Sequence, residues 1–197
     1  MKVLVACEYS GIVRNAFAAK GHDAWSCDIL PTESPGNHFE GDVLEHLYKG
    51  WDLMIAHPPC THLAVSGARW FAEGKKPWSL QEEALNFVRK LLDAPIDKIA
   101  LENPVSVIST KIRKPNQIIQ PFEYGHDVTK RTCLWLKNLP NLKPTKIVKP
   151  DIVLVNGKKM SRMHYDSFKL PSKERSKVRS KFYTGIAEAM ADQWGHK

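Results

Sequence analysis

The sequence predicts an α/β protein: a Rossmann-like, doubly wound and mostly parallel sheet in a single domain. Three observations point there. Short apolar runs at Lys2–Cys7, Leu53–Ala56 and Lys98–Leu101 each end abruptly in turn formers or acids, the pattern of strands buried on both faces. The first 28 residues read as strand, tight turn, helix, strand and terminal acid, the opening of a nucleotide-binding unit. Helical spacing fills the intervals between the runs, as crossover connections require.

The elements follow in order. After Lys2–Cys7, Glu8-Tyr9-Ser10-Gly11 forms a turn. Ile12 to Lys20 has helical spacing, with Ile12, Ala16 and Phe17 inward, Arg14 and Asn15 outward, and Gly21 as the stop. Ala24–Cys27 is a second strand ending at Asp28, 17 residues after Gly11, near the spacing at which such folds grip a ribose. Residues 29 to 41, with two prolines and two glycines, read as a loop, and Asp42-Val43-Leu44 leads into a short amphipathic stretch ending at Tyr48. The strand Leu53–Ala56 runs into His57-Pro58-Pro59-Cys60, where the prolines stop regular pairing. Residues 64 to 77 read as a mobile loop mixing cations with aromatics (Arg69, Trp70, Phe71, Lys75, Lys76), a mixture suited to bases and phosphates. Ser79-Leu80-Gln81-Glu82 is a capping box opening a helix that buries Ala84, Leu85, Val88, Leu91 and Leu92 and stops before Pro95. Lys98–Leu101 ends in Glu102-Asn103-Pro104, residues 116 to 124 are irregular, and Lys130 and Arg131 introduce a strand running to Leu136. Asp151–Val155 is an edge strand before an Asn156-Gly157 turn, and Ser172 to Lys181 is a basic surface helix. Thr184 caps a last helix that buries Ile186, Ala189, Met190 and Trp194.

Composition narrows the function classes. With 197 residues, 43% hydrophobic and 25% charged, the chain has the make-up of a globular domain that needs no staples. No apolar run reaches the ~18–20 residues that span a bilayer. An early charge at the N-terminus does not suit a secretory signal, and a cytoplasmic protein is expected. The formal charge of +8 lies largely in the late segments, above all Lys158 to Lys181, and favours a polyanionic partner. Four scattered cysteines argue against a disulfide framework or zinc ribbon, and Cys7, Cys27 and Cys133 read as inert core residues. His57, Cys60 and His62 lie too close together in sequence to complete a metal site unaided, so no metal is expected.

Cys60 is different: two prolines hold its thiol just beyond a strand end, at the sheet edge where α/β folds bind ligands, which makes it a candidate nucleophile. Glu102 repeats the arrangement at the next apolar run. Parallel strands deliver such ends to one edge, so Cys60 and Glu102 are expected to meet.

These residues resemble the cytosine-5 DNA methyltransferase family, in its small phage-type form without a large target-recognition region. Pro59-Cys60 resembles that family's nucleophile motif, Glu102-Asn103 its Glu-Asn motif and Arg131 its late-strand arginine. The resemblance implies a class I methyltransferase-like fold across residues 1–197, with any recognition region confined to about 137–181. It implies S-adenosyl-L-methionine as cofactor, held by Tyr9, Ser10, Gly11, Asp28, Asp42 and Pro59, and DNA, single- or double-stranded, as partner. The Cys60 thiolate would add to C6 of cytosine, a protonated Glu102 with a raised pKa would donate to N3, and Arg131 would orient the base carbonyl or the nucleotide backbone. A base inside a duplex would have to be flipped out. Of the family's three glycines only Gly11 remains, with Glu8 and Ser10 in the other places; the amides of Ser10 and Gly11 are left to meet the cofactor carboxylate at the helix start. Only about 50 residues separate Arg131 from the C-terminal motif around Tyr183 and Gly185, so phosphate contacts from Lys158 to Lys181 would supply affinity with little sequence reading.

Three rival readings differ in kind. An amino-methyltransferase acting on N4 of cytosine or N6 of adenine would need a hydrogen-bond acceptor where His57 stands. A non-catalytic nucleic-acid-binding protein of the same fold would bind no cofactor. The same C5 chemistry on RNA or a free nucleotide would suit a chain with so small a recognition region.

Overall fold

The computed structural model describes residues 1–196. Strand β1 (Lys2–Ala6) leads through the Cys7–Gly11 turn to α1 (Ile12–Ala19) and β2 (Asp23–Asp28). Then come β3 (His38–Glu40), a 3-10 turn at Val43–His46 capped by Asp42, and β4 (Leu53–Ala56). Helices α2 (Ala68–Ala72) and α3 (Trp78–Leu92) precede β5 (Lys98–Pro104) and the single turn α4 (Ile108–Lys111). The edge strand β6 (Gln117–Ile119) and β7 (Thr132–Lys137) complete the main sheet. A hairpin of β8 (Ile152–Val155) and β9 (Lys158–Ser161), α5 (Arg162–Ser167), α6 (Ser172–Ser180) and α7 (Thr184–Trp194) end the chain.

The seven-stranded sheet has the order β3-β2-β1-β4-β5-β7-β6. The β3, β2, β1, β4 and β5 strands are parallel, and β7 alone is reversed between β5 and β6. This is the Rossmann-like, mostly parallel α/β sheet expected. Strand order turns back between β1 and β4, and in such sheets the crevice at that switch point binds ligands. Alternate side chains feed two cores. Val3, Val5, Leu53, Ile55 and Ala100 pack beneath α1 and α7, whereas Leu4, Ala6, Met54, Ala56, Ile99 and Leu101 pack beneath α3.

Several local expectations are corrected. β3 lies within the stretch read as a loop, and β6 within the one read as irregular; both are three-residue edge strands whose pairing comes from their neighbours. Helix α3 starts at Trp78 behind Pro77, with no side-chain cap, so the Ser79–Glu82 capping box does not form. The segment read as a mobile loop contains α2, anchored by the buried Phe71 stacked on Trp78. Arg14 points inward rather than outward. Its guanidinium is buried because Ser26, Thr32, Ser34 and the Pro35 carbonyl all accept from it, which ties residues 32–35 against α1. Gly11, at φ +72°, begins α1 where any Cβ would collide with Ser34 and Arg14. Asn156 and Gly157, both at positive φ, make the tight β8–β9 turn as expected. No helix among the described residues is long and apolar enough to cross a membrane.

Candidate active site

Neighbouring strands β4 and β5 pair in parallel, with Ala56 opposite Leu101. The next residues along, His57 just beyond β4 and Glu102 still within β5, therefore stand side by side. Both continue the phase of Ile55 and Ala100, whose side chains face α1 and α7. The register thus brings His57 Nδ1 to 3.2 Å from Glu102 Oε2, with both side chains largely buried. Phe182, just ahead of α7, tilts against the imidazole at 4.6 Å between ring centres. Asn103 points to the other face, where its Nδ2 donates to the Pro58 carbonyl at 2.8 Å and pins the Pro-Pro-Cys loop to β5.

A cavity of about 280 Å³ opens at this edge. His57, Glu102 and Lys130 form one side; Cys7, Glu8, Tyr9 and Ser10 from the end of β1 form another. Lys177, Lys181 and Phe182 come across from α6 and the segment after it, and Lys177 bonds Glu33 at 2.7 Å across the mouth. Cys7, expected to be an inert core residue, packs against the core beneath α3 and also lines this cavity. It sits at φ +59° in the cavity wall, where burial and the nearby Asp28 push its thiol far up.

Electrostatics separates the two principal candidates. Burial alone would raise the Glu102 carboxyl, but its pairing with His57 and the nearby Lys130 ammonium outweigh it and hold the group below the ordinary carboxylate range. This is opposite to the raised value expected from the sequence. Cys60 is exposed on its loop, four residues beyond β4. Desolvation by the surrounding protein and the Glu102 charge raise its thiol, while Lys130 lowers it. Glu102 and Lys130 are therefore within electrostatic reach of Cys60, although Cys60 does not line the cavity.

The remaining candidates divide. Tyr9 and Ser10 line the cavity, with Gly11 next to them; Asp28, Asp42 and Pro59 do not. Asp28 closes β2 and accepts from the Leu30 amide, and burial raises its carboxyl. Asp42 caps the following 3-10 turn through Leu44 N. Arg131 is exposed and outside the cavity wall, where Lys130 stands instead. His62 turns away toward Lys76 and Phe71, and no cluster of three or more His, Cys, Asp or Glu among the described residues is arranged to hold a metal ion.

The start of α1 is already filled. Glu8 is buried and accepts from Val13 N at 2.6 Å and Arg14 N at 3.1 Å, with Ser10 Oγ at 3.3 Å. Glu8 thus takes the Val13 and Arg14 amides at this terminus, beside the Ser10 and Gly11 amides expected to seat a cofactor carboxylate. Glu8, His57 and Lys130 were the residues sequence reasoning missed. The signal for His57 was present: it follows its apolar run just as Glu102 follows the next.

No family model and no curated protein significantly matches the chain. A solved E. coli structure described as a "putative DNA modification methyltransferase encoded within prophage" is similar at 15% identity and a TM-score of 0.46, over 78% of this chain and 56% of that one. The chain thus spans little more than half the length of that protein.

Proposed function

We propose that the protein transfers a methyl group from S-adenosyl-L-methionine to C5 of cytosine in DNA, through a covalent adduct on Cys60. One observation carries the reading: Glu102 stands in a cavity wall at the sheet edge where the Pro-Cys loop leaves the adjacent parallel strand. The motif resemblance of Pro59-Cys60 and Glu102-Asn103 supports it.

The cavity fits the cofactor's amino-acid end if the usual polarity is exchanged. Glu8 would accept the ammonium, and Lys130, Lys177 or Lys181 would meet the carboxylate. Asp28 at the end of β2, with Asp42 nearby, would hold the nucleoside end. Bound there, the cofactor supplies an electrophilic methyl group. The Cys60 sulfur would add to C6 of a flipped base, and Glu102 would give a proton to N3 as charge builds on the ring. Lys130 would take the base-orienting part and Arg131, exposed at the rim, the nucleotide backbone. The region from Asp151 to Lys181 holds nine Lys and Arg against three acids and would bind phosphates as a small recognition region.

Mass spectrometry of DNA digested from cells expressing the protein tests this reading. It requires 5-methylcytosine, abolished by Cys60→Ser, and a cross-linked band with a 5-fluorocytosine oligonucleotide. N4-methylcytosine or N6-methyladenine instead would favour the amino-methyltransferase. The occupied start of α1 favours a second reading, a non-catalytic nucleic-acid-binding protein. Calorimetric titration showing no S-adenosylmethionine binding would select it.

A further inference from the structure

We propose that His57 is the positioning residue of this site: its Nδ1–H holds Glu102 in one orientation and sets the pH range over which that carboxyl group can serve a nitrogenous base. The part played by Glu102 rests on the reading above; the pairing does not.

Geometry assigns the donor. His57 Nδ1 and Glu102 Oε2 stand 3.2 Å apart, a hydrogen-bond distance at which one of the two must carry the shared hydrogen. The other ring nitrogen, Nε2, is buried with no hydrogen-bond partner. A hydrogen on Nε2 would be a buried donor with nothing to receive it, the costlier kind of orphan. The fitting tautomer carries hydrogen on Nδ1, facing the carboxylate. Phe182 closes the opposite side of the ring, and the parallel register leaves the imidazole no other partner on the sheet.

The surrounding charges are specific. Lys130 ahead of β7 and the Cys60 loop flank the pair. Across the cavity stand Cys7, Glu8 and Tyr9 from β1's end, and Glu33, Lys177 and Lys181 around the mouth. Glu8 is engaged with α1, and Glu33 with Lys177. Only His57 bonds the Glu102 carboxylate directly among the described residues. Its hydrogen bond favours the carboxylate, as does the Lys130 charge.

The proton balance is simple. When the substrate ring takes a proton, the Glu102 O–H bond breaks and a ring N–H bond forms. The carboxylate left behind is stabilised by Nδ1–H, and the same proton returns when the adduct collapses. His57 neither gains nor loses a proton. It makes Glu102 a readier donor at the cost of keeping it protonated only at lower pH.

The test joins turnover to spectroscopy. In His57→Phe, which keeps a ring but no donor, the alkaline limit of kcat/KM should move up by about one to two pH units. At the same time kcat should fall at least about tenfold with little change in KM for the oligonucleotide. His57→Gln, which retains a donor, should recover most of both. Carboxyl 13C spectra, with Glu102 assigned through Glu102→Gln, should show the same upward titration shift in the Phe variant. In the unmodified protein, imidazole 15N spectra should show hydrogen on Nδ1 and none on Nε2. An Nε2–H tautomer, or a Glu102 titration unmoved by His57→Phe, overturns the proposal. Absence of methyl transfer in the unmodified protein would sink the C5 reading, while the spectra would still decide the pairing.

Discussion

Asn103 Nδ2 donates to the carbonyl of Pro58 across 2.8 Å, and this bond joins the two strand ends that carry the candidate chemistry. Asn103 is buried, so Asn103→Ala would leave that carbonyl without its partner. We expect a loss of about 1–3 kcal/mol in urea denaturation. Turnover should fall further than stability predicts, because the loop bearing Cys60 loses its fixed distance from Glu102. Equal turnover in Asn103→Ala would show that the loop is held elsewhere.

The Cys60 thiol is raised, first by desolvation and then by Glu102, with Lys130 opposing them. The thiolate is the reactive form, so alkylation by iodoacetamide should be slow at neutral pH and accelerate well into the alkaline range. Lys130→Gln removes the opposing charge and should move the alkylation profile to higher pH. Glu102→Gln should move it lower. Identical profiles in all three proteins would place Cys60 outside the influence of both.

Arg14 provides a test of the fold around the cavity. Its buried fork serves Ser26, Ser34 and the Pro35 carbonyl, so Arg14→Met leaves the Pro35 carbonyl without its partner and takes one of two donors from the Ser34 carbonyl. A loss of about 1–3 kcal/mol is expected, the cost of leaving one such group unpaired. Hydrogen exchange should quicken first in residues 29–37, and Arg14→Lys should recover only part of the loss because an ammonium lacks the planar fork.

Stability should decline in alkali. Burial raises Cys27 from 9.0 to about 11 and Tyr183 from 10.0 to about 12. Each group keeps its proton longer in the folded chain than in the unfolded one. Its contribution is complete below the unfolded value and disappears as pH rises through the folded value. The urea midpoint should therefore fall progressively between about pH 9 and pH 12, and Cys27→Ala should flatten the earlier part of that fall.

The parallel strands were legible because each is an apolar run cut off by a turn former, and both strand-end candidates followed from them. The edge strands were not. His38-Phe39-Glu40 and Gln117-Ile118-Ile119 have no pattern of their own and pair because β2 and β7 present open ladders. Arg14 misled for a related reason. Helical spacing places it on the flank of α1, but its partners come from residues 26 to 35, and no local pattern announces them. The helix start misled because Glu8 looked like a lost glycine, whereas its carboxylate does the capping. Lys130 and Arg131 are adjacent cations ahead of β7, and the sequence alone had no means of choosing which would face inward.

Helix α7 lies against α1 and gives Ile186, Ala187, Met190 and Trp194 to the same core that Val3, Val5 and Phe17 fill from the other end of the chain. Gly185 lets it approach, since a methyl group there would strike the Tyr124 carbonyl. During synthesis that face of the sheet is thus covered by α1 without α7 until the residues up to Trp194 have been added. The growing polypeptide holds a sticky, half-roofed intermediate through that interval, in which chaperones can act.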